Sequence, residues 1–202
     1  MIYQNIGIKI YLASCSPRRK ALLSSIGIEF EQIEPCGEER TFKFKSPRYY
    51  VEKKALLKSE ETLKRYATFE GCLITADTIV VRKKRIIEKP SNEEEALKIL
   101  SSLEGKWHSV FTAYCITLIN NNEKIRILRS FRTKVKFKHL NKKEILNYIA
   151  TKEPLDKAGA YAAQGFGSFM IESIEGSFTN VVGLPLSQVT EDLLKLKVIK
   201  VR

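Results

Sequence analysis

The sequence predicts an α/β protein, because segments with the two-residue period of strands alternate with longer segments that have the period of helices. Ile8, Ile10 and Leu12 alternate with their neighbours in the first strand pattern. A helix pattern follows at once, with Ser16 in the position of an N-cap and Pro17 in the first turn. This order of elements recurs along the chain and supports the assignment.

The predicted elements follow one another with short connections. After the helix from residue 17 to the terminator at 27, we expect strands over 29–33, 72–84, 107–119, 124–138 and 169–174. We expect further helices over 46–66, from 91 or 92 to 105, over 141–150 and over 186–196. Residues 34–46 have the composition of a loop, and 120–122 that of a hairpin turn.

Composition limits the class of protein. The 202 residues are 44% hydrophobic and contain no apolar run of about 18 residues, so we expect a soluble, cytoplasmic domain over 1–202 without a membrane contact. The four cysteines form no CxxC pair, which argues against a zinc site or a disulfide framework. The net charge of +12 favours anionic partners, but the basic residues are dispersed, so no specific nucleic acid is expected.

The turn between the first strand and the first helix has the physics of an anion site. Ser14, Cys15 and Ser16 are small, and the helix that follows offers free backbone N–H groups beside Arg18 and Arg19. The alternative is an ordinary solvated turn. A further alternative makes Cys15 a reactive thiol, acidified by the helix N-terminus and the arginines.

Asp77 interrupts an otherwise apolar strand pattern. A carboxylate is tolerated there when it is paired, hydrogen-bonded or bound to a metal, so Asp77 is a candidate for catalysis or for a structural bend. Glu39 is a second candidate, because it lies in the polar loop over 34–46. Lys53, Lys54 and Lys58 follow on one helix, and spacing does not show which of them enters a cleft.

Two later features concern His108 and the glycine-rich passage over 156–186. No second ligand stands at a suitable spacing from His108, which favours packing or hydrogen bonding over zinc binding. Glycines punctuate the passage at turns that bring backbone close to other groups. Gln164 precedes two of them, and its amide has the donor and acceptor needed to contact a polar ring edge.

Several long motifs, in order, resemble the Maf family of nucleotide pyrophosphatases. They are LASCSPRRKALLSSIGIEFE from Leu12, ADTIV from Ala76, EKP from Glu88, the stretch from Trp107 to Thr112, and DKAGAYAAQGFG with IEGSFTNVVGLPL in the last third. The resemblance implies a mixed, elongated, twisted sheet flanked by helices, with two lobes around a nucleotide cleft. It also implies hydrolysis of a nucleoside triphosphate between the α- and β-phosphates, a divalent cation such as Mg²⁺ or Mn²⁺, and commonly a homodimer.

The resemblance assigns roles to individual residues. Asp77 would be the proton acceptor or a metal ligand, and Glu39 a second carboxylate near the metal and the attacking water. The groups that would contact phosphate are Ser14, Arg18, Arg19, Lys58 and Lys89, and those associated with base choice are Arg18, Thr78 and Gln164. The sequence around Arg18 and Gln164 is similar to that of the subgroup that acts on dTTP and UTP.

The chain departs from the family pattern at a few positions. Cys15 and Thr75 replace smaller residues and are expected to line the pocket, and Ser59 stands where Ala is usual. Two alternatives stay open: a pyrophosphatase of the 7-methyl-GTP type, and a nucleotide- or nucleic-acid-binding regulator of cell division with little turnover.

Overall fold

The computed structural model describes residues 2–37, 45–66, 68–121 and 123–202, which form an α/β protein. The six α-helices are α1 (Pro17–Ser25), α2 (Pro47–Arg65), α3 (Glu93–Leu103), α4 (Lys142–Ala150), α5 (Phe178–Val182) and α6 (Leu186–Lys195). The nine strands are β1 (Tyr3–Asn5), β2 (Ile10–Ala13), β3 (Glu31–Ile33), β4 (Gly71–Arg82), β5 (Arg85–Ile87), β6 (Trp107–Asn120), β7 (Glu123–Phe137), β8 (Ile171–Glu175) and β9 (Ile199–Val201). Short 3-10 helices cover Glu153–Asp156, Ala158–Ala160 and Phe166–Met170. These counts concern the described ranges only.

Seven strands form one mixed sheet, as the resemblance implies. Their order is β3-β2-β4-β6-β7-β8, and β5 pairs with β4. β2 is parallel to both β3 and β4, whereas β4 with β5 and β7 with β8 are antiparallel pairs. β1 and β9 form a separate antiparallel pair, which joins the two ends of the described chain.

The chain divides into two compact units. The first comprises Met1–Asp77, Thr112–Phe131 and Gly183–Arg202, and the second Thr78–Phe111 and Arg132–Val182. The division falls within β4, β6 and β7. In the first unit, buried residues of β2, α1 and α2 form much of the core, including Leu12, Leu23 and Val51. The prediction of a single domain over 1–202 stays a prediction.

The second unit has its own core. α3 and α4 pack together, and the 3-10 segments lie against them. Leu100 and Leu103 of α3 and Ile145 of α4 are buried, as are Phe137 of β7 and Met170. Most of the glycine-rich passage over 156–186 belongs to this unit, where it forms two of the 3-10 helices, β8 and α5.

The predicted helix starts are confirmed by their caps. The Ser16 and Ser46 side chains accept the backbone N–H of Arg19 and Tyr49, and each helix has proline in its first turn. Asn92 rather than Ser91 caps α3. Asn141 caps α4 with a reciprocal capping box, in which the Glu144 carboxylate accepts the Asn141 backbone N–H.

Some predicted strand ends are wrong. The last strand of the large sheet is Ile171–Glu175 rather than 169–174, because Phe166–Met170 turns as a 3-10 helix after Gly165. β2 begins at Ile10 and β3 at Glu31, two residues later than expected in each case. Lys83 and Lys84 end β4 in a tight turn with positive φ, which the apolar periodicity did not indicate.

The buried side of α2 combines apolar and polar residues. Tyr50, Val51, Ala55 and Leu57 are buried, whereas Leu56 and Leu63 are half-buried. Lys58 is buried as well. None of the helices in the described ranges has the length and apolar character needed to span a bilayer.

Candidate active site

Two residues of β4 point towards α2. Residues two apart on a strand share a face, and Thr75 and Asp77 both bond to groups of the helix. The Thr75 hydroxyl donates to the Ala55 carbonyl at 2.8 Å, and Asp77 Oδ1 accepts from Lys58 Nζ at 2.9 Å. Ala55 and Lys58 lie three residues apart, on one side of α2. The strand and helix periods together therefore create the Lys58–Asp77 ion pair.

This ion pair lies mostly inside the first unit. The Lys58 side chain is 8% exposed and the Asp77 side chain 16%. Burial of either charge alone would be costly, so each group stabilises the other. Of the three lysines that spacing left open, Lys58 thus meets the Asp77 carboxylate, whereas Lys53 is exposed near the Tyr49 ring. The small exposed part of Asp77 keeps this carboxylate accessible from solvent.

The turn after β2 brings Ser14 and Arg19 together. Ser14 is buried, and its Oγ accepts from the Ser16 backbone N–H and from Arg19 Nη1, each at 3.2 Å. Arg19 Nε also donates to the Gly183 carbonyl at 2.8 Å. Gln32 Nε2 donates to the Ser14 carbonyl at 2.6 Å. Part of the Arg19 guanidinium thus stabilises the turn, while Arg18 is half-buried beside it.

The register of the sheet relates this turn to Asp77. Ala13, the last residue of β2, pairs with Thr75 of the parallel strand β4. The residues after Ala13 therefore leave the sheet beside Ala76 and Asp77, at the carboxyl end of β2 and the N-terminus of α1. Ligands of open α/β sheets commonly bind at such an end. The structure brings Ser14, Arg18, Arg19, Lys58 and Asp77 to this region of the first unit.

The second unit contains Thr78, Lys89 and Gln164. Val80 pairs with Ile87 in the antiparallel β4–β5 hairpin, and Lys89 lies two residues beyond the end of β5. Thr78 is half-buried and Lys89 is exposed. The structure thus places Thr78 within β4 and Lys89 in the segment that follows the hairpin.

Gln164 is exposed in the glycine-rich passage, which packs against the β4–β5 hairpin. The Gly159 backbone N–H donates to the Glu88 carbonyl at 3.2 Å. A Cβ at Gly159 would lie 2.9 Å from a Val80 methyl group, and its φ of +74° also favours glycine. The expectation that these glycines allow close backbone approach is confirmed here. Glu39 lies outside the described residues.

Comparison with known proteins gives the family. A family model described as Maf-like protein matches residues 9–196. The chain belongs to the Maf family. It is 45% identical over 191 residues to the dTTP/UTP pyrophosphatase of Caldicellulosiruptor bescii, which covers 93% of this chain and 94% of that protein. Proteins of the same description from Aquifex aeolicus and Syntrophotalea carbinolica are 40% and 41% identical, over 95% of this chain and 97% and 86% of their own lengths.

Two of the departures from the Maf pattern have structural explanations. Thr75 is fully buried and bonds to α2, so the expectation that it lines the pocket is wrong. Ser59 is also fully buried, where its hydroxyl lies 2.9 Å from that of Thr117. Cys15 is exposed beside the Ser14 turn. Two of these departures therefore add hydrogen bonds within the first unit of this Maf protein.

His108 is a buried packing residue, as predicted. Its Nε2 lies 2.8 Å from the Tyr161 hydroxyl, and its ring packs edge-on against Phe137 and Tyr161. Burial, reinforced by the positive charge of Arg82, lowers the pKa of His108 from 6.5 to about 4. Within the described ranges, no group of three His, Cys, Asp or Glu side chains is arranged to hold a metal ion.

Sequence reasoning missed one polar contact of the Gln164 segment in this Maf protein. The Glu153 carboxylate accepts the backbone N–H groups of Phe166 and Gly167 at 3.2 and 2.9 Å. Glu153 precedes a proline in a polar stretch, where a solvated glutamate is the ordinary interpretation. No local pattern shows that its partner lies more than ten residues further on, so only the tertiary structure identifies it.

Proposed function

We propose that this Maf-family protein hydrolyses dTTP and UTP between the α- and β-phosphates, releasing the nucleoside monophosphate and pyrophosphate. The names of relatives that are 40–45% identical over most of the chain support the activity and the substrates. The observation that carries the proposal from the geometry is the Lys58–Asp77 pair, because it holds a carboxylate at a fixed and partly accessible position. The names of the relatives thus support both the substrates and the reaction, and the Lys58–Asp77 pair adds separate support for the reaction.

Pyrophosphate cleavage needs a positioned water, a group that takes its proton and positive charge near the phosphates. We assign the proton to a carboxylate oxygen of Asp77, which Lys58 orients through Oδ1. Lys58 and Lys89 supply positive charge, and the hydroxyl of Ser14 with the guanidinium groups of Arg18 and Arg19 contacts phosphate oxygens. The α1 N-terminus adds backbone N–H groups that favour an anion. Thr78, Gln164 and Arg18 contact the base.

The residues fit a divalent cation such as Mg²⁺ or Mn²⁺. These ions take oxygen ligands, and Mg²⁺ is commonly held by one or two carboxylates together with substrate phosphates rather than by a full protein cage. Asp77 provides one such carboxylate, and Glu39 is proposed as the second. The ion, when bound, would neutralise phosphate charge and stabilise the leaving pyrophosphate.

The setting of the enzyme is also proposed. The resemblance supports a homodimer, and substrates of nucleotide metabolism support a cytoplasmic location. No specific nucleic acid is proposed as a partner, because the basic residues are dispersed over the sequence.

The test is a panel of nucleoside triphosphates supplied with Mg²⁺ or Mn²⁺, with release of pyrophosphate and monophosphate measured for each. We expect dTTP and UTP to be hydrolysed in preference to purine nucleotides, and chelation of the metal to abolish turnover. Asp77→Asn is expected to lower kcat by at least about 100-fold and to retain nucleotide binding. Glu34→Gln, at an exposed ion pair, is the matched control.

The outcomes separate the alternatives. Preference for 7-methyl-GTP would move the protein to the other pyrophosphatase subgroup. Absence of turnover from the folded protein across the panel would refute the enzymatic proposal, and unchanged turnover by Asp77→Asn would refute the role given to Asp77.

A further inference from the structure

The segment over 162–167, which contains Gln164, is anchored by side chains on both sides of that residue. Glu153 binds the backbone N–H groups of Phe166 and Gly167 on the carboxyl side. On the amino side, the Tyr148 hydroxyl accepts the backbone N–H of Ala162 at 3.2 Å. Both anchors come from α4 and the 3-10 helix that follows it. The exposed Gln164 side chain is therefore carried by a backbone held at both ends.

The Glu153 anchor depends on a backbone that other residues do not adopt readily. Gly165 has a φ of +91° and a ψ of −152°, a region that is open essentially to glycine alone. A Cβ at Gly165 would also overlap Oε1 of Glu153. Glycine thus lets the carboxylate lie directly against the turn. Two backbone N–H groups bound by one carboxylate form a charge-assisted contact of fixed geometry.

Loss of this anchor is expected to move Gln164 before it unfolds anything else. Glu153 is only half-buried at the edge of the second unit, whereas the apolar core below it includes the buried Met170 and Tyr148. An amide that distinguishes a pyrimidine edge from a purine edge must be placed within a few tenths of an ångström of its partner. A residue that fixes this turn is therefore expected to affect which base is bound and not the cleavage of the phosphate bond.

We propose that Glu153 is a positioning residue for base selection, because its carboxylate fixes the turn that presents Gln164 to the pyrimidine ring. This inference rests on the proposed function and deepens it. Glu153 has no proposed contact with the phosphates or the reacting atoms. Its effect passes through the backbone of Phe166 and Gly167 to the neighbouring glutamine.

The experiment measures kcat/KM for dTTP and for dGTP in the parent enzyme, Glu153→Gln, Gln164→Ala and the double variant. In Glu153→Gln, the amide can accept at one atom only, and its NH₂ group faces a backbone donor. We expect the dTTP-to-dGTP ratio to fall by about 10-fold, with kcat/KM for dGTP nearly unchanged. In the Gln164→Ala background, Glu153→Gln should change the ratio by less than about twofold, because the residue that it positions is absent.

Two controls complete the design. Glu172→Gln removes an exposed ion pair with Lys136 in the same unit and should leave the ratio unchanged. Tyr148→Phe removes the hydroxyl that anchors the other end of the segment, with little change in volume. It replaces Glu153→Gln in the experiment if that variant does not fold. It should lower the same ratio, by a smaller factor.

The results distinguish this inference from the proposed function. A parent protein that hydrolyses no nucleotide refutes the function and the inference with it. With an active parent, a folded Glu153→Gln variant whose ratio stays within about twofold overturns the inference alone, and if that variant does not fold, an unchanged ratio in Tyr148→Phe overturns it. Equal losses for dTTP and dGTP also overturn it, since that pattern indicates general damage to the fold.

Discussion

At the scale of single residues, the candidate site depends on charges and hydroxyls that also stabilise the structure. Lys58 and Asp77 are the main example, because both side chains are largely withdrawn from water. Removal of one partner leaves the other as a buried charge, which is usually more costly than removal of both. Stability and activity of variants at this pair should therefore change in different ways.

Lys58→Met should lower the free energy of unfolding by about 3 kcal/mol, because the Asp77 carboxylate loses its partner while the apolar stem is replaced. The double variant Lys58→Met with Asp77→Asn should recover part of this loss and none of the activity. Urea unfolding followed by circular dichroism measures the stability of each variant. Lys64→Met, at an exposed ion pair with Glu61, should change it by less than about 0.5 kcal/mol. The pairing would be contradicted if the double variant lost more free energy of unfolding than the two single variants lose together.

The burial of His108 predicts that the stability of the protein depends on pH. Its pKa falls to about 4 in the folded protein from 6.5, so the folded state disfavours the protonated ring. The unfolded chain binds the proton first as pH falls. The contribution of neutral His108 is thus fully present above pH 6.5 and is lost between 6.5 and about 4, a total of about 3 kcal/mol. Urea unfolding at several pH values in this window should show a shallower slope for His108→Phe than for the parent.

The second histidine provides the control for this measurement. His139 is largely exposed and bonds to Glu104 on the surface, so His139→Gln should retain most of the slope of the parent. Equal slopes for His108→Phe and the parent would show that burial of the imidazole does not govern stability in this range.

At the scale of elements, α2 and β4 position the Lys58–Asp77 pair because one face of the strand lies against one side of the helix. The same strand face that turns Asp77 towards Lys58 turns Thr75 towards the Ala55 carbonyl. On the other side of the helix turn, Ser59 meets Thr117. These buried hydrogen bonds fix the helix relative to the strand within the first unit, and so fix the ion pair.

Thr75→Val tests this structural role. Valine has nearly the shape of threonine and lacks the hydroxyl, so the variant should lose about 1 kcal/mol of stability while kcat/KM for dTTP stays within about twofold of the parent. Thermal unfolding and the pyrophosphate assay give the two values. The exposed Thr68 offers a control, since Thr68→Val should leave both nearly unchanged. A large change in the ratio of kcat/KM values for different nucleotides in Thr75→Val would instead indicate that Thr75 contacts the substrate.

The sequence predicts best what is encoded locally. Ser16, Ser46 and Asn141 mark helix starts that the structure confirms, because an N-cap and its partner lie three residues apart. Asp77 could likewise be identified, since a carboxylate within an apolar strand is conspicuous in the sequence itself. Local hydrogen-bonding chemistry therefore gives reliable helix starts, and the apolar context of Asp77 gives one candidate acid.

Contacts between distant segments could not be predicted. The spacing of three lysines on one helix does not show that Lys58 pairs with Asp77, because that contact depends on how α2 packs against β4. The binding of Arg19 to the Gly183 carbonyl joins residues 164 positions apart. The β1–β9 pair likewise joins the two ends of the described chain. Each depends on tertiary packing, to which local periodicity is insensitive.

At the scale of the whole molecule, the net charge of +12 is the property that most favours binding to nucleic acid. Several basic side chains are engaged in local surface pairs, among them Arg126 with Glu60 and Lys134 with Glu175. No zinc finger, basic zipper or RNP-like motif accompanies the excess charge in the sequence. A dispersed positive charge attracts polyanions through long-range electrostatics without a specific complex.

Binding to DNA should therefore be weak and strongly dependent on salt. Displaced counterions make the affinity of such complexes fall steeply, and we expect a loss of at least about 10-fold between about 50 and about 200 mM salt. Fluorescence anisotropy with a labelled duplex measures this loss, and a second duplex of unrelated sequence should bind equally well. Asp77→Asn should bind both duplexes as the parent does, because the proposed nucleotide site plays no part in that association. Tight binding to one duplex that persists at the higher salt would instead favour a regulator that acts on nucleic acid, since base contacts depend much less on counterion release than phosphate contacts do.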